Sequence, residues 1–279
     1  MPFRQLRNRT GLLSGYFAAE RNFSIGLAET VRKGVLKPTC STIGARYIAR
    51  IEDAGEYEKV HFRNICPPLY WPKAIGRFDL YKAATDCLHP DDWHHYEVPE
   101  TTVKRGDVVL DCGAAEGIFA LSVAERAGKV VLFEPSPDFR SSLARTFGNM
   151  RSATVVPAAL GSKEGKAFLD GGSLYGVVRA EGGIPIDVTT IDAWSACAGT
   201  RVDYLKGDLE SYEFEVLQGA VNLIQRDKPK IAFTVYHPGN DWKQMMSFLK
   251  RLVPAYRFRV KGLSYNDNFP RPVMLHAWT

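Results

Sequence analysis

From Val108 to the last residue, apolar strands alternate with amphipathic helices, and few folds accept that pattern. The spacing predicts strands at 108–112, 129–133, 153–157, 202–206 and 230–236. Helices are predicted at 116–126, 138–147, 212–225 and 241–252, with short strands near 166–169 and 185–189. Strands at 256–260 and 273–278 have no helix between them, so they are expected to pair antiparallel through a loop at 261–272. This order implies an α/β fold: a parallel sheet with helices on both faces.

Residues 1–105 lack the alternation and cluster aromatics and prolines at 66–72. A helix over 10–33, extended pieces at 59–63 and 68–71, a helix at 78–88 and a polar loop at 89–95 are expected there. The chain therefore divides into an accessory, substrate-side region, 1–105, and a ligand-binding α/β domain, 106–279.

Charge is distributed unevenly. The first 50 residues hold nine Lys/Arg against two Asp/Glu, whereas the other 229 hold 27 against 29. A basic N-terminus suits a phosphate-bearing acceptor, a membrane surface or a partner, or is simply a solvated helix face. Nucleic acid fits poorly, because the α/β part is slightly acidic. No apolar run approaches the ~18 residues of a membrane span, and the weak stretch at 11–19 reads as a surface helix rather than a signal peptide. Five scattered cysteines without a Cys-x-x-Cys pair suggest a reducing, cytoplasmic setting.

In a sheet of this kind, ligands bind beyond the carboxyl ends of the strands. The first predicted strand ends in Asp111-Cys112-Gly113-Ala114-Ala115-Glu116-Gly117 and the second in Phe133-Glu134-Pro135. Aligned with the dinucleotide pattern Gly-x-Gly-x-x-Gly, the turn offers only Gly113, so a nicotinamide cofactor is not expected; no Gly-Lys-Ser/Thr of a P-loop follows. An acid at Asp111 favours a cationic ligand group. Glu134 stands 23 residues further on, near the ~20-residue offset at which an acid reaches ribose hydroxyls. Together they point to S-adenosylmethionine.

The motifs resemble the FkbM-type family of class I methyltransferases. That family runs Asp-x-Gly-Ala-x-x-Gly, Phe-Glu-Pro, Ala-Leu-Gly, Thr-x-Asp, Lys-x-Asp-x-Glu-Gly-x-Glu and Val-Leu-x-Gly-Ala. Here the Asp111 turn and Phe133-Glu134-Pro135 are followed by Ala159-Leu160-Gly161 and Thr190-Ile191-Asp192. Lys206-Gly207-Asp208-Leu209-Glu210-Ser211-Tyr212-Glu213 and Val216-Leu217-Gln218-Gly219-Ala220 complete the series. The likeness covers roughly residues 105–260. Ser211 departs from the usual Gly, and Ala115 from a common Asn.

The resemblance implies a Rossmann-like, mostly parallel seven-stranded sheet with an antiparallel last strand. It implies adenosylmethionine held by Asp111, Gly113, Ala114, Gly117, Glu134, Pro135, Ala159 and Leu160. It also implies methyl transfer to a hydroxyl of a sugar, glycan or nucleotide-linked sugar, or of a polyketide-type product. A non-catalytic scaffold of the same fold is the rival reading. Partial burial is expected to raise the pKa of Asp208 and suit it to act as general base, with Glu210 as partner acid and His237 as the second candidate. A divalent metal on Asp208 and Glu210 stays open, without commitment. The His89–His95 run lacks defined ligand spacing and reads as a polar loop at the substrate mouth. Tyr70, Trp71 and Trp93 are candidate stacking faces for a pyranose.

Overall fold

A computed structural model describes residues 2–18, 22–170, 177–179, 181–265 and 269–279. Residues 19–21 of the expected 10–33 helix and 266–268 of the expected 261–272 loop lie outside these.

Fourteen strands are present among the described residues. β1 (Ile48–Ala54), β2 (Tyr57–Phe62) and β3 (Leu69–Pro72) form an antiparallel N-terminal sheet. β4 (Val108–Cys112), β5 (Lys129–Phe133) and β6 (Ala153–Val156) begin the main sheet. β7 (Ala159–Leu160), β8 (Gly165–Asp170), β9 (Val177–Arg179) and β10 (Ile184–Thr189) make a small side sheet. β11 (Tyr204–Gly207), β12 (Lys230–Thr234), β13 (Arg257–Lys261) and β14 (Met274–Trp278) return to the main sheet, whose order is β13-β14-β12-β11-β4-β5-β6.

Six of these seven strands are parallel, and β14 alone runs against them. The chain builds outward from β4 to β6, then crosses back to place β11 on the other side of β4. That reversal opens a crevice at the ends of β4 and β11.

Alternate side chains feed two cores. Val109, Val130 and Leu132 face one side, while Leu110, Val131 and Phe133 face the other. The first core takes in the helices Arg77–Leu88, Ile118–Val123 and Pro137–Phe147, and also Val60, Leu69 and Trp71 of the N-terminal sheet. The second is closed by the helices Glu213–Gln218, Val221–Asp227 and Trp242–Leu252. Strands buried on both faces explain why they read as continuous apolar runs.

Several expectations need correction. The N-terminal helix is Pro2–Phe17, followed by a short π-helix at Thr30–Val35. β1 and the helix Ile191–Ala198 were not expected, and the helix expected over 212–225 is two helices broken at Gly219-Ala220. Trp71 is fully buried in the core, and the backbone of Tyr70 is hydrogen-bonded to Thr146 and Ser142 of the helix Pro137–Phe147. Neither lines the cavities described below. The N-terminal basic charge is partly paired within the chain: Arg32 and Lys33 pair with the exposed Asp91, and Lys37 with the buried Asp92 at 2.6 Å.

Candidate functional site

Three neighbouring cavities, successive ones sharing lining residues, lie at the crevice and beside it. The first cleft is lined by Gly113, Glu134, Pro135, Ala159, Leu160, Asp208 and Glu210, among others. A second cleft shares Gly113, Ala115, Asp208 and Glu210 and adds Ala114, Glu116, Lys206, His94 and Tyr96. A larger chamber of about 630 Å³ shares Lys82, Asp86, His94 and Tyr236 with the second cleft. Its far wall includes Gly11 and Leu12 of the helix Pro2–Phe17, with Trp93 and Tyr265.

The turn after β4 is tightly fitted. Gly113 has φ +74°, and a Cβ there would stand 2.2 Å from the carbonyl oxygen of Asp208. Only glycine lets the two strand ends approach this closely. Gly117 has φ +85° and packs against Leu143 and Phe147, so it shapes the turn from behind rather than lining a cleft.

Glu134 closes the far side of the turn. Its two carboxylate oxygens accept from the backbone N–H of Ala115 and of Ser136, each at 2.8 Å. Each oxygen retains a second lone pair for a ligand hydroxyl. Burial pushes both Glu134 and Glu116 up to about 7, against the hydrogen bonds and the Lys206 charge that oppose it.

Asp111 does not line the clefts. It is fully buried, and the β4–β11 register sets it directly beside Lys206. The ammonium lies 2.9 Å from Asp111 Oδ1 and donates to the carbonyl of Gly113 at 2.6 Å. Burial alone would lower the pKa of Lys206, but Asp111 and Asp208 outweigh it and hold the amine protonated. The charge at Asp111 is therefore already answered by a side chain that sequence reading had left without a role.

Asp208, Glu210 and His237 come together. His237 Nε2 is 3.7 Å from Asp208 Oδ1 and 3.5 Å from Glu210 Oε2. His237 sits behind the two acids and lines none of the three cavities. Asp208 also accepts from Tyr96 Oη at 2.7 Å. Burial pushes the Asp208 carboxyl upward, but His94, His237, Lys206 and the Tyr96 hydrogen bond together hold it well below the usual range. The expected rise is thus reversed, and Asp208 is a poor proton acceptor. Burial would depress His237, yet the Glu213 hydrogen bond and the charges of Asp208, Glu213 and Glu210 raise it to about 9.

His94 is the group the sequence concealed. The 89–95 segment is a loop, but Asp92 and Trp93 are buried within it. His94 Nε2 stands 3.5 Å from both Asp208 Oδ2 and Tyr236 Oη. Burial depresses its pKa more than the nearby Asp86 and Asp208 raise it, so it is neutral around pH 7. It faces both the second cleft and the chamber. No spacing rule could find it, because its partner Asp208 lies 114 residues further along the chain.

Among solved structures, a methyltransferase FkbM from Methylobacillus flagellatus KT is 20% identical, with 72% of this chain and 54% of that chain covered and a TM-score of 0.48. The chain thus spans about half the length of that relative. A precorrin-6y C5,15-methyltransferase of Geobacter metallireducens GS-15 gives 12% identity, 63% and 82% coverage and a TM-score of 0.39. A Streptococcus mutans protein solved in complex with SAH gives 12%, 63%, 90% and 0.41. No curated protein matches the sequence. The model of the methyltransferase FkbM domain matches residues 111–260, from the Asp111 turn through β13. That match takes in more than half of the chain, so the chain belongs to the FkbM methyltransferase family.

Proposed function

We propose that this chain is an S-adenosylmethionine-dependent O-methyltransferase whose acceptor enters through the N-terminal chamber. The observation that carries the reading is the sequence of shared walls: the Glu134 cleft and the second cleft share Gly113 and Asp208, and the second cleft and the chamber share His94 and Tyr236. Bound there, S-adenosylmethionine would supply a methyl group on an electrophilic sulfonium. Glu134 accepts ribose hydroxyls, while Pro135, Ala159 and Leu160 provide a small apolar wall for the base. Ala114 and Gly113 present backbone to the ligand, and Gly117 keeps the turn open.

Methyl transfer to a hydroxyl requires a base that is neutral or anionic at working pH. His94 fits this requirement, and Asp208, ionised and 3.5 Å from His94 Nε2, stabilises the imidazolium that forms when it takes the proton. The chamber combines the aromatic Trp93, Tyr236 and Tyr265 with Lys37, Lys82, Asp86 and Asp92. Apolar faces beside hydrogen-bonding groups suit a polyhydroxylated acceptor such as a sugar or nucleotide-linked sugar.

Radiolabelled methyl incorporation into a panel of glycans, nucleotide sugars and polyketide alcohols tests the reading, with calorimetry for the donor. His94→Gln should lower kcat at least about 100-fold while donor affinity holds. Turnover of the variant at the wild-type rate would remove the base assignment. A wild-type chain that binds no adenosylmethionine would return the fold to a scaffold role.

A further inference from the structure

His237 has a buried nitrogen with no hydrogen bond. The residue is 4% exposed, and Nε2 makes none, although Asp208 Oδ1 and Glu210 Oε2 face it at 3.7 and 3.5 Å. The ligand-capable atoms of these three residues lie within 4.8 Å of one another. Oxygen and nitrogen ligands about 2.1 Å from one ion stand about 3.0–3.4 Å apart, so the two His237 contacts need to close by a few tenths of an ångström, and the two carboxylates, within 4.8 Å of each other, draw together around the ion.

The other face of the imidazole is fixed. Nδ1 meets Glu213 Oε1 at 2.9 Å. Glu213 is fully buried and accepts from Leu209 N–H, Thr234 Oγ1 and Asn240 Nδ2 at 2.8–3.0 Å. A carboxylate behind Nδ1 fixes the ring and its tautomer, which is how metal-binding histidines are held. Such support leaves Nε2 facing the two carboxylates, where a bound cation would take the place of its proton.

We propose that Asp208, Glu210 and His237 bind one divalent ion of the Mn²⁺ or Zn²⁺ kind. One imidazole among carboxylates favours these over Mg²⁺, which prefers an all-oxygen shell. Three protein ligands leave positions for water or an acceptor oxygen. Asp208 and Glu210 also line the clefts, so the ion would sit at the edge of the crevice. Its part in catalysis rests on the proposed methyl transfer; its binding does not.

The test uses the whole chain, stripped with chelator and titrated with MnCl₂ while the free Mn²⁺ electron-spin resonance signal is followed. Zn²⁺ is read by competition. One saturable site per chain is expected. Glu210→Gln, in a partly exposed side chain, and Asp208→Asn should each weaken binding at least tenfold, with thermal melts confirming both variants folded. No saturable site in the wild type, or equal affinity in folded variants, overturns the proposal. Calorimetry with adenosylmethionine on the same samples separates the two readings. Donor binding without ion binding removes the metal site alone. Ion binding without donor binding sustains it and overturns the methyltransferase reading.

Discussion

Ser211 has φ +87° and Glu210 φ +50°, both in the left-handed region. The family's usual glycine at position 211 thus has a backbone reason, and serine there bears steric strain. Ser211→Gly should stabilise the fold by about 1 kcal/mol, the relief of strain exceeding the added freedom of the unfolded chain. Urea unfolding measures it; a destabilised variant would refute it. Glu134 makes a pH prediction. Its folded pKa of about 7 lies above the ordinary 4.5, so the folded state keeps a proton that the unfolded chain has lost. The contribution of Glu134 to stability therefore falls as pH rises from about 4.5 to about 7. Ligand hydroxyls favour the ionised form, so adenosylmethionine affinity should rise with pH, by at most about tenfold per unit, up to about 7 and level off above it. Calorimetry across pH 5.5–8.5 should show this slope in the wild type and lose it in Glu134→Gln.

Elements were legible where their signal is local. β4, β5, β11 and β12 are short, largely apolar runs between polar turns, so their positions follow from the chain alone. β1 was not legible because most of its residues are exposed, including Arg50 and Glu52, which pair with each other. Which residues face each other across strands was also hidden. Asp111 and Lys206 are 95 residues apart, and only the parallel register of β4 and β11 makes them partners. Asp111→Asn leaves a buried ammonium with its main counterion gone, so we expect a loss of about 3–5 kcal/mol. Thermal and denaturant melts check it. The variant should lose donor binding through this strand junction rather than through a missing ligand contact. A stable Asp111→Asn would show that Lys206 finds another partner.

At the scale of the molecule, the sequence separated residues 1–105 from the rest by texture, and the cores do not follow that line. Trp71, Leu80, Trp93 and Tyr96 pack in one cluster with Val109, Ile118, Phe119 and Leu143. A chain cut to 106–279 would expose that face of the main sheet. We expect it to lack a cooperative unfolding transition, and circular dichroism with calorimetric melting would decide; a sharp transition would establish an independent domain. The candidate site was half legible for the same reason: β4, β5 and β11 supply its acids from motifs, while His94 and Tyr96 reach it from the region the motifs do not cover.

The loop at 92–96 does two jobs at once. Trp93 and His94 wall the chamber, while His94 and Tyr96 contact the Asp208 carboxylate. Redesigning acceptor preference through this loop would also change the acidity of Asp208, so selectivity and proton handling would drift together. The helix Pro2–Phe17 offers the opposite bargain. Gly11 and Leu12 line the same chamber without hydrogen-bonding to the acids, which makes that wall the place to diversify substrates while leaving the chemistry alone.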